Sequence, residues 1–290
     1  MKSLFCFGLG YSAKFLAHQL AKKDWKVTGT ARTQSGVREI TRLGYNGLQY
    51  SGLEHSEEIA EALETATHIL ISASPAANGD PVLAHHLNDL NPARLHWIGY
   101  LSTVGVYGNW DGAWVDETNE TRPVSQRSSY RVEAENKWLE VFNMYNLPVH
   151  IFRLAGIYGP NRNAFVKLQN GTARRIVKPG QVFNRIHAED IAGVLEASIR
   201  KPNPGSIYNV ADDKPCPPQE VVAYAAELLN MEPPPLVAFE KSDLSPMGKS
   251  FYGENKRVSN SKIKSELGVT LKYPTFKEGL NNIWKSLPSN

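Results

Sequence analysis

"FCFGLGYSAK", residues 5–14, joins a short apolar run to a helix-like pattern through two glycines one residue apart. Residues 4–7 read as a buried strand. Beyond the glycines, Ala13, Leu16, Ala17, Leu20 and Ala21 recur on one face of a helix over residues 11–23. In a strand–turn–helix unit the first glycine permits the turn, and the second lets a phosphate approach bare backbone. The third small residue packs helix on strand. Gly8, Gly10 and Ala13 stand at those three places. A helix N-terminus also offers unpaired N–H groups and a favourable dipole to an anion. The segment Gly8, Leu9, Gly10, Tyr11, Ser12 and Ala13 is therefore the expected cradle of a dinucleotide pyrophosphate. An ordinary glycine turn is the other reading of the same residues.

The pattern outward from this turn is an alternation of strands and helices. Residues 25–32 ("WKVTGTAR"), 68–74 ("HILISAS"), 96–103 ("HWIGYLST") and 148–154 ("PVHIFRL") read as strands, with a short one at "LQY". Helices are expected over 33–43, 56–64, 80–91 and 128–145. This rhythm predicts an α/β protein with a doubly wound parallel sheet of the Rossmann kind and helices on both faces. Its ligands then lie beyond the carboxyl ends of the strands, where Ala73 and Ser74 fall at the end of the 68–74 run. The second half is proline-rich ("KPNPG", "KPCPPQE", "MEPPPL"). It reads as a smaller C-terminal α/β substrate lobe. The expected division is 1–155 with a return at 183–210, against 156–182 and 211–290. A helix is expected over 219–230, and residues 241–256 read as a mobile loop.

The residues after the second strand bear on the cofactor. A site for NAD commonly places a carboxylate there for the ribose 2′-hydroxyl. No Asp or Glu occurs between Asp24 and Glu39, and Arg32 stands near the strand end, two residues after Thr30. A guanidinium pairs with a 2′-phosphate that a carboxylate repels. NADP(H) is therefore expected ahead of NAD, with Thr30 and Arg32 in the site. Arg32 as a solvated surface arginine is the alternative.

Composition excludes several other classes. The 290 residues are 41% hydrophobic, enough for a sizeable core, and the net charge of +3 is too mild to point to nucleic acid. The only two cysteines, Cys6 and Cys216, lie far apart without metal-ligand spacing. A reducing, cytoplasmic setting is expected, with no metal centre, no nucleic acid and no membrane among the partners. No apolar run approaches the roughly 20 residues of a membrane span.

Four further segments, "LSTVGVYG" (101–108), "FRLAGIYGP" (152–160), "RIHAEDIAG" (185–193) and "IYNVADDKP" (207–215), occur in order after the glycine turn. With "SNSKIKSELG" and "FKEGL" near the C-terminus, they resemble the extended short-chain dehydrogenase/reductases, specifically the NAD-dependent epimerase/dehydratase branch. The resemblance implies a nicotinamide cofactor and a small-molecule, possibly sugar-nucleotide, substrate. It also implies a homodimer paired through long helices such as 128–145. The family's chemistry uses a hydroxyl residue and a Tyr-x-x-x-Lys pair, in which the lysine lowers the tyrosine pKa. The hydroxyl residue matches Thr103, four residues before Tyr107, with Ser102 beside it. The pair does not match, because the fourth residue after Tyr130 is Ala134. The family's glutamate, four residues after the lysine, fits Glu135. That register sets Arg131 at the lysine position and Arg127 at the tyrosine position. An arginine does not serve as a base at neutral pH, so the usual proton relay is absent. Tyr130, three residues after Arg127, and Tyr107 are the candidate substitutes, each equally readable as a packed aromatic. His187 and Asp190 are read as anchors between lobes. Arg174, Arg175 and Lys178 are candidates for an anionic substrate group or for solvated surface. The chemistry expected is that of an atypical epimerase/dehydratase-like oxidoreductase; the alternative is a silent NADP(H)-binding sensor or scaffold.

Overall fold

Seven strands form one sheet in the computed structural model, which describes residues 2–287. They are β1 (Ser3–Phe7), β2 (Lys26–Ala31), β3 (Asn46–Gln49), β4 (His68–Ile71), β5 (Trp97–Thr103), β6 (Val149–Leu154) and β7 (Ile207–Val210). Their order is β7-β6-β5-β4-β1-β2-β3, and the pairs β1–β2, β1–β4, β2–β3 and β4–β5 are parallel. The connecting helices are α1 (Tyr11–Ala21), α2 (Gln34–Arg42), α3 (Glu57–Leu63), α4 (Pro81–His85), α5 (Gln126–Tyr145) and α6 (Ala188–Arg200). The fold is the doubly wound α/β sheet that the alternation predicts.

Strand periodicity assigns the two faces. Phe5 and Phe7, Ile69 and Ile71, Ile98 and Tyr100, and Val149 and Ile151 share one face. There they pack with Ala134, Trp138 and Val141 of α5. The opposite parity carries Trp97, whose indole Nε1 donates to Ser198 Oγ of α6 at 3.0 Å. The strand order reverses at β1, whose neighbours are β4 and β2. Ser72 and Ala73 both send their amides to Phe7 O at 2.9 Å. That closes β4 at Ile71, earlier than the expected residue 74, and sets residues 72–74 beside the turn after β1.

The chain divides into two compact units. One runs to Thr103 and resumes at Gln126–Arg153 and Ile191–Tyr208. The other comprises Val104–Ser125, Leu154–Asp190 and the chain from Asn209. Residues 104–125, expected with the sheet, thus belong to the second unit. The reason is pairing within that unit, since Trp114–Val115 runs parallel to Arg257–Val258 and Arg122 N donates to Val106 O. The return to the sheet unit begins at Ile191, not at 183, because Arg185–His187 pairs with Gly156–Tyr158 in a separate two-stranded sheet. The second unit has its own core around Phe165, Ala225, Phe276 and Leu280. Its helix Pro218–Leu228 lies where 219–230 was expected. Residues 241–256, expected as a loop, contain the helix Pro246–Tyr252, capped by Ser245.

Candidate cofactor and active site

The turn after β1 is pinned from beneath. Gly8 N donates to Thr30 Oγ1 at 2.8 Å and Leu9 N to Thr30 O at 2.9 Å. Thr30 is buried, so it serves the cradle by holding the turn. Leu9 is buried against Gly29, where a Cβ would come within 2.6 Å of the leucine Cβ. Gly8 has φ +82°, and a Cβ there would meet Ala73 N at 3.3 Å. Both the left-handed backbone and the close approach of the chain just past β4 require glycine at this position. Gly10 differs on both counts. Its φ of −85° is open to any residue, and a Cβ there would meet nothing within 4 Å. Gly10 is also the N-cap of α1, with no side-chain cap and no acidic residue in the first turn. Ala13 is fully buried, as the third position demands. Tyr11 is half-buried with its ring edge-on to Phe15, and Ser12 is buried. An unfilled margin beside uncapped helix amides fits a pyrophosphate.

Arg32 lies one residue past β2 and is exposed. Its carbonyl accepts from Gln49 Nε2 at 3.2 Å. Thr33 caps α2 by accepting from Gly36 N at 3.2 Å, and its hydroxyl lies 3.0 Å from Ser35 Oγ. The one carboxylate on α2, Glu39, is paired with Lys14 of α1 at 2.5 Å. The end of β2 thus presents a guanidinium and two hydroxyls, and no acid.

At the carboxyl ends of β4 and β5, α5 supplies a cation. Arg131 Nη2 donates to Ser74 Oγ at 2.9 Å, and Nη1 donates to Leu101 O. One turn further, Glu135 is buried between two partners. It accepts from Ser102 Oγ and is paired with Arg153 of β6, Nη2 to Oε2 at 2.7 Å. Arg131 and Glu135 therefore both face the sheet. Ser102 is buried with its hydroxyl given to Glu135, whereas Thr103 at the strand end is partly exposed. Arg127 lies one further turn back on α5 and is exposed. Tyr130 is rotated about 100° from Arg131, and its phenol accepts from Gln126 Nε2 at 2.7 Å on the exposed side. Tyr107 is buried and donates to Asn209 Oδ1 at 2.8 Å.

Tyr100 and Asp80 lie near Arg131, and Trp138 lies near Asp80. Tyr100 lies under the Arg131 guanidinium, 5.8 Å from ring centroid to Cζ. Burial pushes the Tyr100 phenol up and outweighs the opposing pull of Arg131. It stays protonated at neutral pH and, with no exposed surface, does not replace a tyrosinate. Asp80 is buried and caps α4 by accepting from Val82 N at 2.9 Å and Leu83 N at 3.1 Å. Its second oxygen and the Trp138 indole N–H are both buried without a well-formed hydrogen bond. An Asp before Pro81 is a visible cap signal. The contribution of Trp138 from α5 is not legible, because it depends on how α5 lies on the sheet.

In the second unit, Asp190 accepts from Lys272 N at 2.7 Å and Tyr273 N at 3.1 Å, and His187 is buried against Tyr158 and Tyr273. Arg174, Arg175 and Lys178 each donate to backbone carbonyls, of Ala173, Pro234 and Tyr252 respectively.

A doubly wound sheet with a glycine cradle at its switch point, and a hydroxyl–guanidinium–carboxylate set on β5 and α5, defines a class. The chain has the fold of solved NAD-dependent epimerases and dehydratases, and it lacks the Tyr-x-x-x-Lys pair of the family its sequence resembles. It is 31% identical over 289 residues to protein YeeZ of Escherichia coli K12, covering 94% of this chain and 97% of that one. A conserved protein of unknown function from Silicibacter pomeroyi has a solved structure that matches with TM-score 0.90 and 51% identity, over 98% of this chain and 99% of that one. The dTDP-glucose 4,6-dehydratase of Bacillus anthracis, solved in complex with NAD, matches with TM-score 0.77 at 20% identity, over 98% and 96% of the chains. No family model matches the sequence.

Proposed function

We propose that this chain binds NADP(H) at the β1–α1 turn and acts as an atypical epimerase/dehydratase-like oxidoreductase on a hydroxyl or carbonyl of a small, sugar-nucleotide-like molecule. The observation that carries this reading is Gly10, a glycine that neither its dihedral angles nor its neighbours require. The bound nicotinamide supplies the hydride acceptor or donor. Gly8, Gly10 and the first turn of α1 hold the pyrophosphate, and Arg32 with Thr33 and Ser35 holds the 2′-phosphate. Thr103 orients the reacting oxygen. Arg131 contributes a fixed positive charge that stabilises negative charge developing there. Glu135, locked between Ser102 and Arg153, fixes the face of α5 that carries Arg131. No side chain in this set takes the proton as a tyrosinate does, so the proton leaves to solvent or to the substrate itself.

A second reading, a silent NADP(H)-binding sensor, is favoured by one observation. The cation at the lysine position is committed to Ser74 and Leu101 O, and the phenol beside it is buried and protonated. The test is to titrate NADPH into the protein and then add a panel of carbonyl compounds and nucleotide sugars, following reduced-nicotinamide absorbance and solvent-isotope exchange. Turnover of any one substrate supports the enzyme. Tight NADPH binding with no turnover leaves the sensor, and no NADPH binding removes both. A homodimer through the outer face of α5, where Met144 and Tyr145 are exposed, and a cytoplasmic setting belong to the same proposal. Sedimentation of Met144→Glu against the parent tests the first of these.

A further inference from the structure

Outside the proposed cofactor site, three side chains from two loops converge on one point. The α-helical geometry of α4 ends at His86, and the chain tightens into a 3-10 turn over Leu87–Asp89. With three residues per turn, positions three apart stand one above the other, so His86 and Asp89 share a side. Their contact is 2.7 Å between His86 Nδ1 and Asp89 Oδ2. His55, from the loop between β3 and α3, reaches the same oxygen, with Nε2 at 3.1 Å from Asp89 Oδ2. The two imidazole rings lie 4.9 Å apart at 32°. One donor atom from each of the three residues lies within 4.8 Å of the other two. Burial grades across the cluster. The His86 side chain is fully buried, packed between Phe7 and Tyr50, whereas that of Asp89 is 20% exposed and that of His55 41%.

We propose that His55 Nε2, His86 Nδ1 and Asp89 Oδ2 are three ligands of a divalent metal ion of the zinc kind, which staples the β3–α3 loop to the turn after α4. The donor set decides the class of ion. Two imidazoles and one carboxylate suit zinc, cobalt, nickel or copper, whereas magnesium and calcium take oxygen sets. The geometry is close to what such an ion requires. Ligand bonds of about 2.1 Å at tetrahedral angles set donors about 3.4 Å apart, so the observed 2.7 and 3.1 Å contacts need to open by less than ~1 Å. His55 sits on an exposed loop that permits this movement, while His86 is the fixed point. The Nε2 atom of His86 has no hydrogen-bond partner, and Nδ1 donates its proton to Asp89, so an incoming ion replaces that proton and moves it to Nε2 or to solvent. Glu57 lies 3.7 Å from His55 Nδ1, the place where a carboxylate orients a metal-bound imidazole. Three protein ligands leave a fourth position to water. The sequence hides the site because His55 is 31 positions from His86 (86 minus 55) and no motif links the two.

The experiment strips the full chain with a chelator and titrates it with Zn2+ by calorimetry, and with Co2+ by visible absorption. The expected result is saturable binding of one ion per chain with proton release, a Co2+ spectrum of tetrahedral type and a rise in melting temperature. His55→Ala, which removes an exposed ring, and Asp89→Asn are each expected to weaken Zn2+ binding at least tenfold. His18→Ala, on the exposed side of α1, is expected to bind as the parent does. Absence of saturable binding by the parent overturns the site. So does unchanged binding by both His55→Ala and Asp89→Asn, which would leave Asp89 as an acceptor shared by two histidines.

Discussion

At Gly10 and Gly8 the same residue type serves different physical needs, and substitution separates them. Gly8→Ala forces a left-handed residue and crowds Ala73 N, so it is expected to lower stability by about 1–2 kcal/mol. Gly10→Ala has ordinary dihedrals and free space, and its cost as a changed N-cap is expected to stay within ~1 kcal/mol. The same variant is expected to weaken NADPH binding at least tenfold, about 1.4 kcal/mol. Melting curves beside a binding titration check both; a Gly10→Ala protein that binds NADPH normally removes the cradle. Arg32→Ala is expected to lower NADPH affinity tenfold or more and to leave NADH affinity within about twofold. Equal losses for the two cofactors refute the 2′-phosphate assignment. The turn at Gly8 and the packing of Ala13 were legible in the sequence because local strand–turn–helix geometry fixes them. The hydrogen bond from Gly8 to Thr30 was not legible, since it crosses 22 positions of sequence.

Along α5 the helical period places Arg127, Arg131 and Glu135 in one stripe, and that register is readable from spacing alone. What the stripe meets is not readable. Arg153 looked like an arginine within a strand, yet it is the buried counter-charge of Glu135. Removing one partner of such a pair leaves a desolvated charge. Arg153→Met is expected to cost about 3–5 kcal/mol, seen as a loss of melting temperature. Arg153→Met combined with Glu135→Leu is expected to recover much of it, since both charges are then gone. If the single and double variants melt alike, the pair is not coupled. The neighbouring α4 shows the opposite failure of spacing. A helix expected over 80–91 breaks at His86, where the chain turns into 3-10 geometry and His86 contacts Asp89. Apolar periodicity carries no sign of that side-chain contact.

For the whole molecule, buried titratable groups set a pH window for stability. Burial pushes His68 and His150 in the sheet unit, and His187 in the other, down to about 4. The unfolded chain then binds protons more readily than the folded one below pH ~6.5, so stability falls as pH drops from about 6.5 towards 4. Asp212 acts in the other sense over the same range. It is buried in the second unit, with one carboxyl oxygen unpartnered, and burial pushes it up to about 7. The fold holds its proton more tightly than the unfolded chain does, so stability falls as pH rises from ~4 towards 7 and is lower by a few kcal/mol above that. Asp212→Asn removes this loss. Its melting temperature is expected to exceed the parent's at pH 8 and to approach it at pH 5. An equal difference at both values places the effect in packing and not in ionisation. The alternation of strands and helices was enough to give the sheet. It was not enough to assign residues 104–125, because their partners Arg257–Val258 lie at the other end of the chain.

The division at residues 103, 125, 153, 190 and 208 carries a consequence for anyone who wants half of this protein. The polypeptide threads from one body to the other five times, so no single stop codon or protease nick liberates an intact half. A stop after Tyr208 keeps the whole sheet unit but carries residues 104–125 and 154–190 of the other with it. A stand-alone sheet unit will have to be rebuilt from three non-adjacent fragments with new connectors between them, and chain length will be a poor guide to where it can be trimmed.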